Sequence, residues 1–246
     1  MKEHNPAAYG DHIADDYDQW ASLPDSETQA SVALLAELAR DGPVLELGIG
    51  TGRVALPLSQ RGIRVDGIDA SAAMRAKLNA SPGGDKLTVF SGDFSDFDLQ
   101  GRDYSLVYVV FSTFFALLTQ EAQVRCFQCV ARALRPDGLF LLEVSVPDPE
   151  AFSRGQFVAT RILSPRTVRL DAAVHDPVQQ RVSATHILLS ENGIRLHPFE
   201  TRYAWPSELD LMARLAGLRL QKRWGNWDKS SFTYSSVRHI STYQRQ

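Results

Sequence analysis

Apolar positions along this chain change period several times, and the changes outline its elements. Between Gln29 and Leu38 the residues Val32, Leu34, Leu35 and Leu38 recur at helical spacing. Asp41-Gly42-Pro43 breaks that pattern, and the short apolar run Val44-Leu45-Glu46-Leu47 follows as a buried strand. Comparable runs at 65–68, 87–90, 106–111 and 139–146 are separated by helix-sized segments. Thr119 stands as the N-cap of one of these, with Cys126, Phe127, Val130 and Leu134 on one face before Arg135-Pro136-Asp137-Gly138 stops it. Alternation of this kind predicts a parallel sheet covered by helices on both faces.

The period shifts after about residue 147. Pro147-Asp148-Pro149 ends the alternation, and turn signals at Ser164-Pro165, Asp176-Pro177 and Glu191-Asn192-Gly193 divide a stretch rich in β-branched residues. Antiparallel strands are expected at 158–163, 167–174, 181–189 and 194–203. A helix resumes with Ser207 as its expected N-cap after Pro206, carries Leu209, Met212, Leu215 and Ala216 on its apolar face, and stops at Gly217. Two last strands, 218–224 and 236–243, complete the sheet. The predicted organisation is a helical cap (1–40), a doubly wound α/β core (41–147), an antiparallel β insert (148–205) and a C-terminal part of the core sheet (206–246).

Composition narrows the partners. With 246 residues and 44% hydrophobic content the chain can bury a substantial core, and its formal charge of -3 offers no general field for a polyanion. No run of five or six basic residues occurs, so nucleic acid is not expected as a partner. No long uncharged apolar stretch points to a membrane, and Met1-Lys2-Glu3-His4-Asn5-Pro6 is too polar for a signal peptide, so a cytoplasmic location is expected. The two cysteines, Cys126 and Cys129, fall within a helical pattern with no second ligand pair, so they read as buried thiols and no metal is expected.

The turn after the first strand carries the chemistry. Glu46-Leu47-Gly48-Ile49-Gly50-Thr51-Gly52-Arg53 places three glycines at alternate positions, so a cofactor can approach bare backbone. A dinucleotide or an adenosyl cofactor suits such a turn. The third glycine comes one residue early for the pyrophosphate fingerprint and an acid stands two residues before the first, which favours the adenosyl reading. Asp69 ends the second strand where a carboxylate can accept from both hydroxyls of a ribose. Ser91-Gly92-Asp93-Phe94 follows the third, where a carboxylate can accept from an adenine amine. Arg53 either steers a cofactor carboxylate or starts the helix, and Pro57 is tolerable in that helix only if it begins near Gly52.

These segments, with Tyr104-Ser105-Leu106-Val107 and Leu134-Arg135-Pro136-Asp137-Gly138, resemble in order and spacing the successive motifs of the class I S-adenosylmethionine-dependent methyltransferases. The resemblance spans residues 34–146. It implies a Rossmann-like seven-stranded sheet with the last strand antiparallel, and S-adenosylmethionine as cofactor. It places Gly48 and Gly50 at the methionine moiety, Asp69 at the ribose, Asp93 and Phe94 at the adenine, and the chain from Phe111 onward at the methyl-transfer site. Tyr17, Glu46, Gly52, Arg53, Ala70 and Met74 complete the expected cofactor set. One departure is Leu139, where many members carry a second glycine after Gly138. The spaced Tyr9 and Tyr17-Asp18, with the antiparallel insert, are similar to members that methylate small metabolites, including amines and amino sugars.

Methyl transfer from a sulfonium needs chiefly an in-line acceptor and exclusion of water. Aromatic faces suit the sulfonium cation, and Tyr9, Tyr17, Trp20, Phe111, Phe114 and Phe115 are candidates to line it, although core packing accounts equally well for the three phenylalanines. A hydroxyl or protonated amine as acceptor would require a base, for which Tyr17, His12, His186, His197 and Tyr203 are candidates. The expected acceptor is a small molecule offering N, O or C. The insert is expected to form a wall or lid over the cleft, or to pair two subunits as a homodimer. Its Arg154, Arg161, Arg166 and Arg169 with Phe152, Phe157 and Phe199 suit a partly anionic or aromatic acceptor. A nicotinamide-dependent oxidoreductase and a noncatalytic adenosyl-binding scaffold are the alternatives.

Overall fold

Two sheets organise the chain, and their differing burial explains their differing sequence patterns. The computed structural model describes residues 5–17, 25–99 and 101–245. In chain order the elements are α1 (Ala8–Ile13), α2 (Asp25–Ala39), β1 (Val44–Leu47), α3 (Ala55–Ser59), β2 (Val65–Asp69), α4 (Ala72–Ala80), β3 (Thr88–Ser91), β4 (Tyr104–Val109), α5 (Gln120–Ala133) and β5 (Leu134–Ser145). They continue as β6 (Gln156–Leu163), β7 (Thr167–Asp176), β8 (Arg181–Ser190), β9 (Gly193–Arg202), α6 (Pro206–Leu215), β10 (Leu218–Trp224) and β11 (Arg238–Arg245).

The larger sheet has seven strands in the order β10-β11-β5-β4-β1-β2-β3. Its pairs from β5 through β3 are parallel, and β11 runs antiparallel to both β10 and β5. Every residue of β1 and β4 is buried, as continuous apolar runs in a sheet covered on both faces require. On one face Leu45, Leu47, Val107 and Val109 pack with Phe127 and Val130 of α5 and Leu209 and Met212 of α6. On the other, Val44 and Leu106 pack with Val32 and Leu35 of α2 and Leu58 of α3. Thr119 caps α5 by accepting from the Ala122 amide at 3.1 Å, and Cys126 and Cys129 are buried within that helix.

The smaller sheet is an antiparallel meander, β6-β7-β8-β9. Its register puts Asp171, His186 and His197 on one face, with Ala173, Ala184 and Phe199 beside them. Leu188, also on this face, joins Ile13 and Ala14 of the N-terminal segment and Met74 of α4 in a small cluster. The meander returns to the core through Arg202, whose buried guanidinium donates to Gln123 at 2.6 Å and Glu208 at 2.8 Å.

Several boundaries differ from expectation for identifiable reasons. Ser207 does not cap α6: Pro206 is its first residue and Trp205 holds the cap position without a side-chain hydrogen bond, because a proline lacks the donor that a first helical position cannot use. Strand β4 stops at Val109 rather than at residue 111, because Phe111 and Ser112 both turn into the left-handed region. Pro57 is accommodated as expected: the Leu56 amide already bonds to the Gly52 carbonyl at 2.9 Å, so the proline stands within the opening turn. Gly138 is tightly constrained, since a Cβ there would come within 2.8 Å of the Tyr104 carbonyl. Among the described residues no helix is long and apolar enough to cross a membrane.

Candidate active site

Strands β4, β1 and β2 are neighbours, so their carboxyl ends bring the glycine bend, Asp69 and the segment 110–113 to one crevice. Gly48 and Gly50 adopt φ of +71° and +57°. A side chain at Gly48 would meet the Thr113 methyl at 2.5 Å, whereas the side of Gly50 where a Cβ would project is open to 4.0 Å. A ligand can therefore lie against Gly50 in space that any other residue would fill.

Asp69 ties the crevice together. One carboxylate oxygen accepts the Gly50 amide and the other the Ser71 amide, both at 2.8 Å. Burial raises its pKa, and these two amides oppose the rise. Ser71 in turn caps α4 at the Met74 amide and donates to Asp11 of α1 at 2.6 Å, so the N-terminal helix is fastened to the loop that follows Asp69. Ala70 lies in that loop, half-buried, and Met74 packs beneath α1.

Glu46, buried in β1, receives the Tyr108 hydroxyl at 2.9 Å. Burial first, and the nearby Asp69 charge, push its carboxyl up to about 8, against the pull of the Tyr108 hydrogen bond. Arg53 lies between two rings, 5.3 Å from the centre of Tyr17 and 5.2 Å from that of Phe111. Its Nη2 is buried without a hydrogen-bond partner among the described residues. Phe94 reaches the bend, 3.7 Å from the position of a Gly48 Cβ, while Asp93 uses one oxygen to accept the Ser95 amide at 2.7 Å. The Asx turn and a ligand-facing role for Asp93 are thus compatible, since a carboxylate has acceptor capacity to spare.

Ile49, Thr51, Val110 and Thr113 also line the crevice, beyond the residues expected by number. Ile49 and Thr51 were signalled by their place between the glycines. Phe114 and Phe115 turn into the core, where Phe114 meets Phe127 edge-on at 5.5 Å. Asp18 and Trp20 lie outside the described residues.

The base candidates separate. His12 is exposed on α1. His186 holds Asp171 at 2.7 Å and stacks on Phe199 at 4.5 Å, with Tyr9 6.5 Å away. His197, its cross-strand neighbour, lies 3.5 Å from Asp16, and burial lowers its pKa. Tyr9 packs against the inner face of the meander, its ring 5.6 Å from that of Phe199. Tyr203 sits apart, 3.0 Å from His175. Two of the insert arginines are already engaged: Arg161 and Arg169 both donate to Asp171, and together with His186 they hold its carboxyl at about 2 despite burial.

The sheet order and the acid-tied glycine bend form an α/β fold with a crevice at the carboxyl ends of its strands that suits an adenosyl-type cofactor. Residues 44–138 match the family described as a methyltransferase domain. The structure of the CcbJ methyltransferase from Streptomyces caelestis is 41% identical, covers 98% of each chain and superposes with a TM-score of 0.91. The cypemycin N-terminal methyltransferase of a Streptomyces species is 27% identical over 253 residues, spanning 98% of this chain and 99% of that relative. CalS10, an amino pentose methyltransferase from Micromonospora echinaspora solved with S-adenosylmethionine, is 19% identical with a TM-score of 0.72, over 95% of this chain and 97% of that one.

The chain belongs to the class I S-adenosylmethionine-dependent methyltransferases. These matches carry methyl transfer and lend no support to the oxidoreductase or scaffold alternatives. The residues fit the cofactor: a buried, unpartnered guanidinium nitrogen suits its carboxylate, an acid at the end of β2 suits a diol, and the open side of Gly50 admits its chain.

Proposed function

We propose that this enzyme methylates an amine nitrogen of a small metabolite. Bound S-adenosylmethionine supplies an activated methyl on a sulfonium. In this reading Arg53 holds the cofactor carboxylate, Gly50 gives it bare backbone, Gly48 and Gly52 shape the bend with the sides where a Cβ would project packed by Thr113 and by Leu78 and Leu56, and Glu46 and Tyr17 border its amino acid portion. Asp69 accepts from the ribose hydroxyls, while Ala70, Met74, Asp93 and Phe94 frame the adenosine. Phe111 shields the transfer site from water. The observation that carries the reading is the buried Nη2 of Arg53, held between the Tyr17 and Phe111 rings at the mouth of the glycine bend.

An amine acceptor is supported by the similarity to the cypemycin N-terminal methyltransferase and to the amino pentose methyltransferase CalS10. The formal charge of -3 argues against a nucleic acid acceptor. The acceptor would lie between the glycine bend and the inner face of the meander, where Tyr9, Phe199 and His186 gather. Under this proposal residues 1–40 are a cap, 41–147 and 206–246 the core, and 148–205 the acceptor wall, in a cytoplasmic enzyme. The outer face of the meander carries Val158, Leu163, Val174, Ile194 and Leu196, all more than half exposed, and supports a homodimer that buries it.

Incubation with methyl-labelled cofactor and a metabolite extract, with total RNA in a parallel arm, tests this. Label in an amine-bearing small molecule is expected. Label in the RNA arm alone would reject it.

A further inference from the structure

Two consecutive residues without a glycine's freedom, Phe111 and Ser112, adopt φ of +57° and +58° just beyond β4. Left-handed backbone at such residues persists only where the surroundings impose it. Here the imposing group is Glu143, two residues before the carboxyl end of β5. Its side-chain carboxylate accepts the Phe111 amide, and its backbone carbonyl accepts the Ser112 amide at 3.3 Å. Ser112 completes the tie by accepting the Ser145 amide on its hydroxyl at 2.9 Å.

Glu143 is 4% exposed in a strand that is otherwise apolar around it, Leu139-Phe140-Leu141-Leu142-Glu143-Val144. A carboxylate in such a place is costly unless its oxygens are engaged. One engages the turn, and the other lies 3.8 Å from Arg238 of β11, which also pairs with Glu27 of α2. Glu143 does not itself line the crevice; the turn it holds does. That turn sets the Phe111 ring 5.2 Å from the Arg53 guanidinium and the Thr113 methyl against Gly48.

We infer that Glu143 is a positioning residue for cofactor binding: by holding the Phe111–Ser112 turn it fixes the ring that confines Arg53 and the methyl that covers Gly48. The inference rests on the reading of this crevice as the S-adenosylmethionine site. Its physical content is that the left-handed turn must be formed before the cofactor arrives. Without the carboxylate the turn relaxes, and the cofactor must reorder it.

Calorimetric titration of the full chain with S-adenosylhomocysteine tests the inference without needing the acceptor. Glu143→Ala is expected to weaken binding about tenfold or more, while Glu143→Gln, which keeps an acceptor oxygen, stays within about threefold of the native protein. Asp210→Ala, which breaks the distant Asp210–Arg223 pair, is the control for general loosening and is expected to bind as the native protein does. If Glu143→Ala does not fold, Glu143→Asp carries the test, because it keeps the charge and withdraws the reach. Native-like binding by the Ala or Asp variant overturns the inference, as does loss in the Gln variant or an equal loss in Asp210→Ala. A native protein that binds no S-adenosylhomocysteine refutes instead the reading of the crevice.

Discussion

Asp69 accepts the Gly50 amide at 2.8 Å, so the acid closing β2 and the bend leaving β1 form a single unit. The carboxylate proposed for the ribose is thereby the same group that fixes the backbone proposed for the methionine portion. The second oxygen of Asp69 extends the unit through Ser71 to Asp11, fastening the N-terminal helix to it.

Arg53 is a cation with a buried donor that has no hydrogen-bond partner among the described residues. Arg53→Met should weaken S-adenosylhomocysteine binding by about 10- to 100-fold, the range for losing a charge-assisted hydrogen bond. Thermal midpoint should hold or rise, since an incompletely paired buried charge is removed. Calorimetry and a thermal melt of the same sample read both. A lowered midpoint with unchanged affinity would assign Arg53 to the fold rather than to the cofactor.

Two buried groups give the unliganded protein opposing pH dependences. Glu46 stays protonated in the fold up to about 8 but ionises near 4.5 when unfolded, so the folded state binds more protons in between. Its contribution to stability is complete below the lower value and is lost as pH rises to the upper one. His239 behaves in the reverse sense: burial, then the Arg223 charge, keep it neutral down to about 3 against an ordinary 6.5. Its contribution is present above 6.5 and is lost as pH falls towards 3. Urea unfolding of native and Glu46→Gln protein across this range should diverge on the alkaline side, the native falling by up to about 1.4 kcal/mol per pH unit relative to the variant. Parallel curves would show that Glu46 is ionised in the fold.

The exposed apolar face of the meander predicts association. Light scattering should return about twice the 27.3 kDa chain mass, and Ile194→Lys should return the monomer with S-adenosylhomocysteine affinity retained. A monomeric native protein would contradict the pairing proposal alone.

Much of this architecture was legible because local rules and tertiary packing agree. Continuous apolar runs marked β1 and β4 as doubly covered strands, and alternate glycines with Glu46 and Asp69 in register marked the bend. Antiparallel strands in the insert followed from turn residues and β-branching. Other features depend on geometry that no spacing encodes. Glu143 sat unremarked in an apolar run because its use is to hold torsion angles at Phe111 and Ser112, 32 and 31 residues earlier in sequence. The insert arginines looked available for an acceptor, but the β-ladder brings Asp171 between Arg161 and Arg169 and engages their charge. Ser207 matched the capping preference by type, and Pro206 overrode it by position.

The Asp69-tied glycine bend is the proposed adenosyl cradle. Isothermal titration of native and Asp69→Ala protein with S-adenosylmethionine and S-adenosylhomocysteine addresses it most directly. Micromolar binding of both by the native chain is expected, with a loss of about 100-fold or more in a variant that still folds, since both the proposed ribose acceptor and the Gly50 tie are removed. Equal affinity of the two proteins, or no binding by the native chain, would contradict it.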